Sequence, residues 1–335
     1  MTLKDRIDAF TQLGQQLASL NDEQLEELHL RAAAENPWFT ADNVNTAING
    51  IIKYLDHQQL TEWAENYDLK DQQKIVGVVM AGNIPLVGFH DLLCVLMSGN
   101  ILKAKLSSQD TSLMRFIIHR LMKINTSFEK YIIQADKLKD VDAIIATGSD
   151  NSARYFNYYF SKYPHIIRKN RTSVAILTNE STSETFRPLK DDIFTYFGLG
   201  CRNVSKLYVP ENFDFDKLFN ALSGAENVIN HHKYSNNYDY NKSIYLVNKE
   251  PHLDNGFVLL KPDNSMVSPI SVLYYETYKD GKALKTALAS NAEKIQCVVS
   301  KDGVWSESKP FGQAQFPKVD DYADGVDTMK FLSKC

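Results

Sequence analysis

The segment Phe197-Gly198-Leu199-Gly200-Cys201-Arg202 leads into the apolar run Ser205-Lys206-Leu207-Tyr208-Val209, so a cysteine stands on a glycine-flanked turn just ahead of a strand. Glycine lets the backbone bend sharply and clears side-chain bulk from the path to the sulfur. A thiol held there can attack a carbonyl carbon, the thiolate being the reactive form. A lone cysteine is more often a small buried hydrophobe, so the weight falls on the residues elsewhere in the chain. Thr147-Gly148-Ser149-Asp150 is one of these: it follows an apolar run and opens a helix. That geometry offers backbone N–H groups to a phosphate, although any strand-to-helix turn can contain it and Ser149 also reads as a plain helix N-cap. The three-glycine dinucleotide fingerprint is absent, since Ala153 stands where a later glycine is expected.

Other reactive side chains carry less. His231-His232 and His165 are proton-transfer candidates, but exposed loop histidines are common. His90 lies on an apolar helix and reads as a satisfied helix residue. Arg168, Lys169 and Arg171 form a basic cluster that fits either the phosphates of a ligand or, more simply, a solvated turn. Cys94 and Cys297 sit in apolar runs and read as inert core. The acidic stretch from Asp320 to Thr328 lacks calcium-loop spacing and reads as a turn before a terminal strand, Met329 to Leu332, able to pair with another subunit. No cysteine and histidine grouping has zinc spacing, so no metal is expected.

These residues need a scaffold, and the chain of 335 residues is long enough for two domains. Charged residues make up 23% and apolar ones 44%, and the net charge of −4 gives no electrostatic case for nucleic acid. No apolar run approaches the roughly 18 residues that span a bilayer. The start, Met-Thr-Leu-Lys-Asp-Arg-Ile-Asp, does not read as a secretion signal. Four scattered cysteines without a CxxC pair suit a reducing cytoplasm.

Residues 1–70 read as helices: Ile7, Phe10, Leu13 and Leu17 recur at helical spacing, Asn21 opens a second helix, 32–36 is a break, and Thr40 caps a third. From Lys74 the texture changes. Ile75 to Met80 is the continuous apolar run of a buried parallel strand, followed by a helix from Leu86 to Met97 and strands at Ile101–Leu106, Tyr131–Ile133 and Ala143–Ala146. Alternation at this pace predicts a parallel α/β sheet with right-handed crossovers. After Arg171 a second set of strands begins (174–177, 206–209, 243–247 and 257–260), while the polar, tyrosine-rich stretch 230–242 reads as a surface loop. The expected division is a helical region 1–70, a cofactor-binding domain 71–170, a catalytic cysteine domain 171–320 and a tail 321–335.

The order of motifs resembles the aldehyde dehydrogenase superfamily: Gly82-Asn83-Ile84-Pro85, Ser98-Gly99-Asn100 with Lys105, Ala146-Thr147-Gly148-Ser149, Gly198-Leu199-Gly200-Cys201, then Pro310-Phe311-Gly312. Within it the chain is most similar to the acyl-CoA reductase branch that includes the bacterial bioluminescence fatty acid reductase. The similarity covers about residues 71 to 315, and five motifs in order are far more specific than one. It implies an aldehyde dehydrogenase-like α/β fold with a Rossmann-type cofactor domain and an α/β catalytic domain. Position by position, Cys201 matches the nucleophile and Asn83 the amide that binds the developing oxyanion together with the nucleophile's own N–H. Such a neutral donor stabilises charge that appears only in the transition state; as a strand-ending turn residue Asn83 has a plain account too. Lys105 matches the lysine contacting the adenosine ribose, Ser149 the residue at the pyrophosphate, and Gly148 the close-approach glycine.

The departures are as informative. Hydrolytic members carry a glutamate that activates water; the matching position is Ile167, and no carboxylate lies between Asp150 and Glu180. Without a general base a thioester should persist against water, which favours reduction of an acyl thioester to aldehyde. The glutamate that normally grips the nicotinamide ribose is replaced by Ser265. Ser108, where an acidic residue would accept a 2′-hydroxyl, leaves room for a 2′-phosphate, with Lys103 or Lys105 supplying charge. The expected enzyme is therefore a cytoplasmic acyl-CoA reductase using NADPH, with NADH the alternative, acting on acyl-CoA or another acyl thioester, and compatible with a homo-oligomer. Competing readings are an aldehyde dehydrogenase forming acid or acyl-CoA, and a non-catalytic cofactor-binding or scaffold partner of an acyl-transfer enzyme.

Overall fold

The computed structural model describes residues 1–305 and 307–335, the side chain of residue 150 aside. Two units emerge, residues 1–170 with 318–335, and residues 171–317.

The first unit opens with α1 (Leu3–Ala18), α2 (Asp22–Glu35), α3 (Ala41–Tyr54) and α4 (His57–Glu65). Each begins at a residue built to cap: the side chains of Thr2, Asn21, Thr40 and Asp56 accept a backbone N–H three residues on. Their apolar faces bury Phe10, Leu13, Val44, Leu60 and Trp63. The break expected at 32–36 is not there: α2 runs to Glu35 because Ala32 is fully buried and Asn36 closes the helix with its N–H on the Ala32 carbonyl.

A five-stranded parallel sheet follows among the described residues, built from β1 (Ile75–Val79), α5 (Phe89–Met97), β2 (Ile101–Lys105), α6 (Thr111–Ile124), β3 (Ile132–Gln134), β4 (Ala143–Thr147), α7 (Asp150–Phe160) and β5 (His165–Arg168). The strand order is β3-β2-β1-β4-β5, with Val76 beside both Leu102 and Ala143. Direction of progression reverses between β1 and β4, and the loops at the carboxyl ends of such strands are where open α/β sheets bind ligands. The helix expected from Leu86 begins only at Phe89, because residues 85–88 form a turn with Leu86 at φ +57°.

The second unit holds β6 (Thr172–Ile176), α8 (Ser183–Phe186), α9 (Leu189–Phe194), β7 (Val204–Pro210), α10 (Phe215–Leu222), α11 (His232–Val247), β8 (Leu253–Asp254), β9 (Leu259–Pro262), β10 (Val272–Tyr278), α12 (Gly281–Ser290), β11 (Ile295–Ser300) and β12 (Lys309–Pro310). Its strand order is β12-β11-β6-β7-β10-β9-β8, parallel except for the β8–β9 pair. Nearly all of the supposed surface loop 230–242 and the whole of the strand 243–247 form α11, from His232 on. Its buried face is Tyr234, Tyr238, Asn241 and Tyr245, at helical spacing, with the Tyr234 and Tyr238 hydroxyls donating to the Phe257 carbonyl (3.0 Å) and Asp254 (2.6 Å). Returning to the first unit, the expected terminal strand is α13 (Thr328–Leu332), capped by Asp327 and packed on α5 with Met329 and Leu332 buried. Among the described residues no helix is long and apolar enough to cross a membrane.

Candidate active site

In the first unit five of the expected residues lie at or just beyond the carboxyl ends of adjacent strands. Asn83 is exposed on the loop after β1. Lys105 is exposed at the last position of β2, its carbonyl accepting the Met80 N–H at 3.1 Å, and Ser108 is exposed in the turn that follows. Lys103, two residues earlier on the same strand face, donates to the Lys139 carbonyl at 2.5 Å. Of the two lysines, Lys105 is therefore the one that meets solvent at this edge.

Gly148 and Ser149 follow β4. A Cβ on Gly148 would lie 2.8 Å from the Ser152 Cβ and 2.9 Å from the Phe156 ring, so the missing side chain is what lets α7 fold back onto its own turn. The Gly148 N–H extends the sheet, donating to the Arg168 carbonyl at 3.4 Å. The exposed Ser149 is the N-cap of α7, accepting the Ser152 N–H at 3.2 Å. The positive end of an 11-residue helix thus opens beside the carboxyl edge of β1. A bound dinucleotide fits this edge: a helix N-terminus for phosphate, a lysine one strand further on, and small side chains at 108 and 149.

The second unit presents the cysteine. After α9 the chain passes through three consecutive left-handed residues, Tyr196 (φ +54°), Phe197 (φ +56°) and Gly198 (φ +80°), before reaching Gly200 and Cys201. Only the last is a glycine, so the turn carries strain of about 1–2 kcal/mol at each of the other two. One buried side chain holds it. Asn203, 1% exposed, donates to the carbonyls of Asp192 (3.2 Å), Ile193 (3.3 Å) and Thr195 (2.7 Å), and its Oδ1 accepts the Gly200 N–H at 2.8 Å. The Cys201 carbonyl accepts the Ser173 hydroxyl of β6 at 3.1 Å. Cys201 itself is exposed, whereas Cys94 and Cys297 are buried and burial holds the Cys94 thiol well above its ordinary range.

Asp192, on the same helix α9, ties a distant motif to this turn. Its carboxylate accepts the N–H groups of Gly312 (2.6 Å) and Ala314 (2.9 Å), fixing Pro310-Phe311-Gly312. Burial pushes its carboxyl up to about 6 even though both N–H groups favour the ionised form. Phe197 lays its ring against His231 with centroids 4.4 Å apart, and His231 stacks on His232 at 5.1 Å. Of the three expected proton-transfer histidines, this pair accompanies the cysteine turn. His165 belongs to the first unit, where its Nδ1 sits 2.8 Å from the Tyr163 carbonyl.

The basic cluster is not a solvated turn. Arg168 is 5% exposed and grips both carboxylate oxygens of Asp91 at 2.8 and 2.6 Å, with Thr328 at 3.0 Å. Arg171 donates to the Ile295 carbonyl at 3.1 Å, and only Lys169 of the three is exposed. Ile167 is an apolar, half-buried residue of β5. Ser265 is exposed, its N–H donating to Asp263 at 2.8 Å. Among the described residues no group of carboxylate, histidine and cysteine side chains is gathered to hold a metal ion. Asn203 and Asp192 were not singled out from sequence; the one available signal was an asparagine two residues after the candidate nucleophile.

The fold is that of the aldehyde dehydrogenases. An indole-3-acetaldehyde dehydrogenase solved with NAD+ superposes with a TM-score of 0.69 at 14% identity, over 92% of this chain and 74% of that one. An NAD-dependent aldehyde dehydrogenase from Sinorhizobium meliloti gives 0.67 at 12% identity over 92% and 72%. The Mycobacterium tuberculosis aldehyde dehydrogenase solved with NAD+ gives 0.64 at 12% over 90% and 73%. Comparison with curated proteins returns no match. Residues 28–261 match the acyl-CoA reductase (LuxC) family, well over half of the chain, and the protein belongs to that family. It is an oxidoreductase working at the aldehyde and acyl-CoA level with NAD(P).

Proposed function

We propose that the protein reduces an acyl thioester, acyl-CoA or a close relative, to the aldehyde through a covalent acyl group on Cys201. The observation that carries this reading is the exposed cysteine at the end of a left-handed turn anchored by the buried Asn203. The thiolate attacks the thioester carbonyl, the bond from carbon to the coenzyme A sulfur breaks, and the acyl group remains on Sγ. The family resemblance assigns the Asn83 amide and the nucleophile's own N–H as the donors that would meet the developing oxyanion. An ordinary thiol, with pKa about 8.5, is mostly protonated at pH 7, so the turn's amides or a neighbouring base must favour the thiolate. With Ile167 in place of a general base, the acyl-enzyme is shielded from hydrolysis.

When bound, the nicotinamide cofactor supplies the hydride. Lys105, Ser108, Gly148 and Ser149 would hold it, and the serine at 108 beside the exposed Lys105 favours the 2′-phosphate of NADPH over NADH. Incubation with acyl-CoA should add one acyl group at Cys201 by mass spectrometry, absent in Cys201→Ala and retained in Cys297→Ser. Folded protein that stays unmodified refutes the reading. Release of free acid from aldehyde and NAD(P) without coenzyme A would instead identify an acid-forming dehydrogenase.

A further inference from the structure

The loop joining β1 to α5 is tightly confined. A Cβ at Gly82 would lie 2.4 Å from the Ser107 Oγ, one at Gly88 2.7 Å from the Met80 Sδ, and Leu86 is held at φ +57°, a conformation that L side chains disfavour. Two buried polar side chains grip this loop on either side of Asn83. Asn36, 4% exposed just beyond α2, donates its Nδ2 to the Gly82 carbonyl at 3.1 Å, while its own Oδ1 accepts the Trp38 N–H at 3.1 Å. Asp110, 1% exposed just ahead of α6, accepts the Leu86 N–H on Oδ2 at 2.8 Å. The two anchors are in turn locked together: Glu35 accepts the Ser112 N–H at 2.9 and 3.1 Å and its hydroxyl at 3.1 Å, joining the end of α2 to the first turn of α6.

We infer that Asn36 and Asp110 are positioning residues that hold the Asn83 loop in the geometry its oxyanion role requires, so that the amino-terminal helices are part of the catalytic apparatus. This rests on the role proposed for Asn83. Neither side chain is assigned a contact with substrate; each acts through a backbone group, the first immediately before Asn83 and the second three residues after it. Misplacing a reacting or stabilising group by about 1 Å costs about a hundredfold in rate. Burial, with the Glu35 charge adding to it, raises the Asp110 carboxyl to about 8, which favours its neutral form, and an asparagine is the close mimic of that form.

The test is single-turnover acylation of Cys201 at saturating acyl-CoA, run beside alkylation of Cys201 by iodoacetamide, which develops no oxyanion. Asn36→Ala and Asp110→Ala should each slow acylation about tenfold to a hundredfold with the alkylation rate unchanged. Asp110→Asn should restore most of the rate, since its amide oxygen can still accept the Leu86 N–H. Adding Asn36→Ala to Asn83→Ala should cost nothing more, as expected of residues acting through one group. If Asn83→Ala is impaired while Asn36→Ala and Asp110→Ala acylate at the wild-type rate, the positioning role is wrong and Asn83 keeps its own. An equal fall in alkylation marks a general structural defect and also overturns it. If Asn83→Ala itself acylates normally, the underlying assignment fails and this inference with it. Should Asn36→Ala fail to fold, the Asp110→Ala and Asp110→Asn pair decides.

Discussion

Replacing Asn203 by alanine removes four hydrogen bonds at a site that is 1% exposed, three to the carbonyls of Asp192, Ile193 and Thr195 and one from the Gly200 N–H. At about 1 kcal/mol net for each bond the loss is about 4 kcal/mol. The cut turn can then relax: returning Tyr196 and Phe197 from φ near +55° to ordinary backbone recovers about 1–2 kcal/mol each. The expected cost in stability is therefore only about 0–2 kcal/mol, a fall of at most about 5 °C in the unfolding midpoint. The relaxation that rescues stability moves Cys201, so acylation by acyl-CoA should drop about a hundredfold. Asn203→Asp should be worse than alanine, because it keeps the acceptor for Gly200 but turns a carboxylate oxygen toward three carbonyls. Thermal unfolding and single-turnover acylation measure the two effects. Asn203→Ala with a wild-type midpoint and a wild-type acylation rate would refute the reasoning.

Two further outcomes follow from buried charge. Asp110 and Asp192, at about 8 and about 6 when folded against 3.8 otherwise, bind a proton more tightly in the folded chain than in the unfolded one. Their contribution is fully present below pH about 4 and is lost as pH rises, through about 6 for Asp192 and about 8 for Asp110. Asp110→Asn should accordingly flatten the decline of the unfolding midpoint between pH 6 and 8, and an unchanged slope would contradict the Asp110 shift. Arg168→Ala strands the 5%-exposed Asp91 and should cost about 3–5 kcal/mol, whereas Arg168→Met with Asp91→Leu should recover most of it. Chemical denaturation compares the two; equal losses in single and double variants would show that the ion pair is not what matters.

The parts of the fold legible in sequence were those in which burial is written in apolar residues. Ile75–Val79 and Ala143–Thr147 read as parallel strands because both faces are covered and the run is almost uninterrupted. α11 was not legible, since its buried stripe is three tyrosines and an asparagine whose polar atoms reach Phe257, Asp254 and Ile270, residues later in the chain. α13 was misread because a short apolar run such as Met329–Leu332 carries no period that separates helix from strand. Among the candidate site residues, Cys201, Asn83 and Ser149 stood out by motif. Asn203, Asp192, Asn36 and Asp110 did not, for a polar residue destined for burial looks the same in sequence as one in a solvated turn. What distinguishes Asp192 is a partner 120 positions away. Arg168 was mistaken for the same reason, its partner Asp91 lying 77 positions back.

These four buried side chains share a physical logic. A loop that shows a reactive group to solvent cannot also satisfy its own carbonyls and N–H groups in a ladder, and left-handed residues such as Leu86, Tyr196 and Phe197 break whatever local pattern remains. Apolar packing cannot repair that, because it offers neither donors nor acceptors. An asparagine offers both, so Asn203 serves three carbonyls and an N–H at once, and Asn36 a carbonyl and an N–H. The two buried aspartates accept N–H groups, Asp192 those of Gly312 and Ala314 and Asp110 that of Leu86. Shape-matched apolar replacements at these positions would fill the same volume yet leave several backbone groups buried without partners. Stability and acylation should therefore fall together there, whereas in the apolar cores around β1 and β7 stability can fall with the chemistry intact.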